Sequence, residues 1–217
     1  MPARQDVADL LDRVQVALTN ATADPDLGAA LATVGYDTDA LAEGRALRAA
    51  LEAAAAAQDR EYGDQYAATE AAGATFEAAR TGYVRHLRLA RVVFEGDAGR
   101  AGTLALRGDR PDDRAALLDL ARTFYTNALA DADAQASLAG VGVDQAALDA
   151  GMAAVRAAEA ARAAQQQEAG EAQQATQARD AALAALQAWW TRFARLATLA
   201  TDGTPQLRER LGLLERS

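Results

Sequence analysis

His86 is the only histidine in the chain, and Arg85 and Arg88 flank it. An imidazole in such company could move a proton or bind a metal, but either task needs converging partners. No Glu-x-x-His pair of the kind used by di-iron bundles accompanies it. His86 is therefore expected to be a partly exposed helix residue. Glu52, Glu61, Glu159 and Glu168 are four carboxylates that could hold a proton or a hard cation. Their neighbours are so polar that a solvated helix face is expected instead. The oxygen-rich stretches Asn20–Asp26 and Asn127–Asp133 lack the dense acidic pattern and turn glycine of a calcium loop, and read as a helix end followed by a cap. Gly96, Gly99, Gly102 and Gly108, with Arg107 and Arg110, have the composition of a phosphate-holding loop, yet a flexible connector is expected. The chain has no lysine, which rules out a P-loop, and no cysteine, which rules out disulfides, thiolate metal sites and a cysteine nucleophile. No catalytic, cofactor-binding or metal residue is assigned. The remaining candidates are structural or adhesive. Trp189 and Trp190 are adjacent; Trp190 is expected in the core, and Trp189 is expected to point elsewhere, either packing within a lobe or serving as a candidate partner contact.

The elements that position these residues all read as helices. Alanine fills 61 of the 217 positions, and Leu, Arg, Glu and Gln, also strong helix formers, are abundant. No stretch alternates apolar and polar residues over the length of a strand. The spacing predicts a helix over about 6–22, a short one over about 25–34 opening at Asp24-Pro25, and a long one from Asp37 to about Phe94. Asp37 and Asp144 are placed as caps, and Gly35 and Gly142 as left-handed helix ends. Gln58, Tyr62, Gln65, Thr69, Ala72, Phe76, Ala79, Tyr83, Leu87, Ala90 and Phe94 keep a coiled-coil heptad rhythm that passes Gly63 without changing phase. One continuous helix of about 55 residues, about 80 Å long at 1.5 Å per residue, is the favoured reading. A compact helical bundle with hairpin turns near Gly63 and Gly170 is the alternative. Gly44 and Gly151 read as close-packing sites.

Shifted by 107 residues, the chain matches itself without a gap, with about 42 of roughly 107 positions identical. Arg85 and Arg88 then fall on Arg192 and Arg195, Gly63 on Gly170, and Tyr83 on Trp190. Residues 1–110 and 111–217 read as two helical repeats of a tandem duplication, intertwined as one structural unit. Large side chains gather at the ends of the long element, and its middle is rich in Ala and Gln. The all-α fold expected is a pair of long antiparallel helices with an Ala/Gln waist, and short helices packing at both ends in two pseudo-symmetric lobes. Paired positions would sum to about 233. That register brings Asp37 toward Arg195 and Arg88 toward Asp144 as inter-repeat ion pairs.

The segments EYGDQYAATEAAG, GEAQQATQARDAALAALQAWW and TPQLRERLGL resemble those of a bacterial family of duplicated, all-helical hypothetical proteins with no assigned activity. The resemblance implies a fold and carries over no functional residue. With 31 acidic residues against 22 arginines, the formal charge is −9, which argues against nucleic-acid binding. No apolar run approaches a membrane span, and the N-terminus lacks the layout of a signal peptide, so a soluble cytoplasmic protein is expected. The function expected is that of a non-enzymatic spacer, adaptor or assembly module acting through protein–protein contacts, including self-association. A carrier of a small apolar ligand held in a lobe, beside Phe76, Tyr83, Phe124, Tyr125 and Trp190, is the alternative.

Overall fold

The computed structural model describes residues 4–213, and all regular structure there is helical. The described helices are α1 (Arg4–Ala23), α2 (Pro25–Ala32), α3 (Thr38–Val93), α4 (Ala98–Thr103), α5 (Arg114–Ala130), α6 (Ala132–Ala139), α7 (Gln145–Ala200) and α8 (Pro205–Arg210). Carboxylates placed by the sequence start several of them. Asp37 Oδ1 accepts from the backbone N–H groups of Asp39 and Ala40 at 3.1 and 3.0 Å, and Asp144 Oδ1 from that of Ala147 at 2.8 Å. Asp24, Asp113 and Asp131 cap α2, α5 and α6 in the same way. Gly35 and Gly142 take φ of +87° and +79°, so the chain leaves α2 and α6 through left-handed turns.

The two long helices run unbroken for 56 residues each, and they pack together. Helix α3 passes through Gly63 and α7 through Gly170, so neither hairpin forms. Neither glycine has positive φ, and a Cβ at either would meet nothing within 4 Å. The helical hydrogen-bond ladder is thus cheaper to continue than to break, since one interior glycine costs only about 1 kcal/mol.

The chain divides into two compact units. One comprises the described residues of Met1–Tyr62 and Glu171–Ser217, the other Gly63–Gly170. Each unit draws on both halves of the chain. The core of the first joins Val14, Leu18, Leu27, Leu31 and Leu51 to Leu186 and Phe193. The core of the second joins Tyr83 and Leu87 to Phe124, Tyr125, Leu138, Leu148 and Val155. In the first unit Gly44 lies against Trp189, and Gln58 Nε2 donates to Thr176 Oγ1 at 3.0 Å. Numbers rise on α3 as they fall on α7, so the two helices run antiparallel there. In the second unit Gln165 Nε2 reaches Thr69 Oγ1 at 3.4 Å, in the same register. No residue of 52–71 or 159–171 is buried, which is the Ala- and Gln-rich stretch of each long helix.

Candidate functional site

The residues singled out by type fall into three groups once the packing is known. The first consists of side chains consumed by the fold. Trp189 is only 8% exposed and belongs to the core of the first unit. Its ring stacks on Phe193 at 5.0 Å and meets Tyr36 edge-on at 5.8 Å. It fills the notch above Gly44, where any Cβ would overlap the indole. It is therefore no exposed partner anchor, and the more open residue of the pair is Trp190. The heptad reading placed them the other way round because the buried face of α7 slips by one residue, running Leu183, Leu186, Trp189, Phe193, Ala197. The signal was present in the sequence: a register summing to 233 puts Trp189 opposite a glycine.

In the second unit Gly82 stands at the position that corresponds to Trp189, and opposite it lies Gly151. The space is filled from another helix. Tyr125, on α5, lays its ring over Gly151 and is fully buried. Its hydroxyl sits 3.1 Å from His86 Nδ1. Burial pushes the Tyr125 phenol up, and burial together with the Arg85 charge holds the His86 imidazole below its usual value. Both shifts favour the uncharged forms, a protonated phenol and a neutral imidazole, which share one hydrogen bond. His86 is half-buried and partners a core tyrosine.

Neither proposed ion pair forms among the described residues. The Asp37 and Asp144 carboxylates accept helix N–H groups instead, and no ion pair joins Asp37 to Arg195 or Asp144 to Arg88. Glu52 pairs with Arg48 at 2.8 Å, and Glu159 with Arg122 at 3.4 Å. The glycine-rich connector is held in place, contains α4, and is clamped by Arg91, which donates to the carbonyls of Leu106 and Gly108 at 2.7 and 2.8 Å.

The second group is what remains available. From Ala78 to Val93 helix α3 carries no acidic residue and four arginines. Three of its helical turns present Arg80, Thr81, Val84, Arg85, Arg88 and Leu89 to a cleft of about 670 Å³, which Arg110 and Val141 close from the α4–α5 connection and the end of α6. Arg80 pairs with Glu77 at 3.1 Å. Arg85, Arg88 and Arg110 make no ion pair among the described residues, although the chain has nine more acids than arginines. Burial is the main cause of the lowered His86 and the raised Tyr83; the Arg85 charge adds to the first, and the charges of Arg91 and Arg110 work against the second. An adjoining cleft of about 460 Å³ shares Arg80 and Arg110, but there Asp109 and Asp112 offset the charge and Arg114 lies over the Phe76 ring at 4.8 Å.

The third group is the aromatic set considered for an apolar ligand. Tyr83, Phe124 and Tyr125 contact one another at 5.1–6.4 Å between centroids, and Trp190 stacks on Phe193 at 5.7 Å. These rings fill their own space. Comparison with known protein families, curated proteins and solved structures gives no match.

Proposed function

We propose that this protein is a non-enzymatic helical adaptor that works through protein–protein contacts, docking an acidic segment of its partner in the Arg80–Arg85–Arg88–Arg110 cleft. The observation that carries this reading is that Arg85, Arg88 and Arg110 line one cleft and, among the described residues of an acidic chain, have no ion-pair partner. Guanidiniums bind carboxylates through paired, charge-assisted hydrogen bonds, and side by side they repel until an anion arrives. Val84, Leu89 and Val141 add apolar surface to the same cleft, so a segment that alternates acidic and apolar side chains suits it. A long nucleic acid suits it less, because the rest of a chain of charge −9 repels an extended polyanion. The apolar-carrier reading has no comparable support, since the rings it would use are packed on each other.

The test is fluorescence anisotropy with a labelled peptide of glutamates and leucines at low ionic strength. Saturable binding is expected, weakened about tenfold or more by Arg85→Glu/Arg88→Glu, as the loss of one charged hydrogen-bonded pair implies. Arg60→Glu, on an exposed part of α3, should change it little. Failure of the peptide to bind, or stronger binding of a single-stranded DNA of equal charge, overturns the proposal.

A further inference from the structure

The first unit carries a second version of the arginine cleft. Gln187, Ala188, Thr191, Arg192, Arg195 and Leu196 of α7 line an open cleft of about 730 Å³. Under the 107-residue shift these positions fall on Arg80, Thr81, Val84, Arg85, Arg88 and Leu89, six of the residues that line the cleft of the second unit. Helix α7 carries no acidic residue beyond Asp180, and neither Arg192 nor Arg195 makes an ion pair among the described residues.

The pattern of arginines separates a ligand role from a structural one. Of the twelve arginines in residues 4–110, only Arg85 and Arg88 fall on arginine after the shift. Arginines with work inside the fold do not recur. Arg48, which bonds the Leu11 carbonyl and Glu52, falls on Val155; Arg91, which clamps the connector, falls on Thr198; Arg100, which binds Asp97, Asp131 and Asp133, falls on Leu207. The two arginines that recur make no ion pair among the described residues of either unit, so their shared feature is the exposed cleft.

We infer that the chain has two docking clefts for acidic peptide segments, a stronger one at Arg80, Arg85, Arg88 and Arg110 and a weaker one at Arg192 and Arg195. This rests on the docking role proposed above and adds its stoichiometry and ranking. The ranking follows from charge: Arg85, Arg88 and Arg110, beside an Arg80 that Glu77 pairs, line one cleft, and only Arg192 and Arg195 line the other, where Gln187 stands in the place of Arg80.

Isothermal titration of the full chain with the glutamate–leucine peptide at low ionic strength tests it. Two peptides should bind per chain, in affinity classes about tenfold or more apart. Arg192→Glu/Arg195→Glu should leave one peptide bound at the tight affinity, and Arg85→Glu/Arg88→Glu one at the weak affinity. The neutral Arg192→Gln/Arg195→Gln variant should give the same loss, which guards against a folding defect from the charge reversal. A stoichiometry of one that Arg192→Glu/Arg195→Glu leaves unchanged removes the second cleft and spares the first. Two equal sites indifferent to both variants, or no binding at all, overturn the inference, and the latter overturns the docking role as well.

Discussion

Trp189 and Tyr125 solve the same packing problem from different helices. Each lays a ring over a glycine, Gly44 in one unit and Gly151 in the other, and each site leaves no room for a Cβ. Both Gly44→Ala and Gly151→Ala should therefore destabilise, by about 1–3 kcal/mol for overpacking, as read by urea denaturation. A neutral effect would mean that the rings do not occupy those notches. The difference between the sites lies in their second ring. Phe193 stacks on Trp189, whereas His86, its counterpart by position, hydrogen-bonds Tyr125. The folded-state pKa of His86 lies below its ordinary 6.5, so the fold favours the neutral imidazole. That contribution is complete above pH 6.5 and is lost as the pH falls through the lower folded-state value. Wild-type protein should lose stability from about pH 6.5 downward relative to His86→Gln, in denaturation curves collected at several pH values. Parallel curves for the two proteins would show that His86 carries no such linkage.

At the scale of the elements, the continuity of α3 and α7 is the feature with the sharpest consequence. Gly63 and Gly170 sit inside helices, exposed, with open space where a Cβ would go. Gly63→Ala and Gly170→Ala should each stabilise the protein by up to about 1 kcal/mol, seen as a higher thermal midpoint. A chain that reversed direction at these points through left-handed glycines would respond with the opposite sign. The heptad phase that runs through Gly63 made this legible beforehand, because a turn has no reason to preserve it. The caps were legible for a similar reason: an Asp before a helix-forming run has one local use. That use also explains why the expected Asp37–Arg195 and Asp144–Arg88 pairs are absent. The carboxylates are held by their own helix N–H groups.

At the scale of the whole molecule, neither compact unit is continuous in sequence. Residues 1–110 contain Val14, Leu27, Leu31 and Leu51 but lack Leu183, Leu186, Trp189 and Phe193, which complete that core. A fragment of residues 1–110 should keep helical circular dichroism yet melt without a cooperative transition, and mixing it with 111–217 should restore one. Cooperative melting of the isolated monomeric fragment would contradict the division. Charge is likewise distributed at this scale: the acidic excess is general, while α3 from Ala78 to Val93 and α7 beyond Asp180 carry arginine without acid.

By itself the sequence determined what depends on neighbours along the chain: the all-α class, the helix starts and ends, and the unbroken long helices. Each follows from propensity, capping and periodicity, which act within a few turns. Tertiary structure decided which face of α7 is buried. A one-residue slip there exchanges Trp189 for Trp190, and only the notch at Gly44, far away in sequence, selects between them. It also decided which arginines are spent and which are left over. An ion pair, a carbonyl clamp and an open cleft look alike in a string of residues, because the partner that distinguishes them lies on another helix.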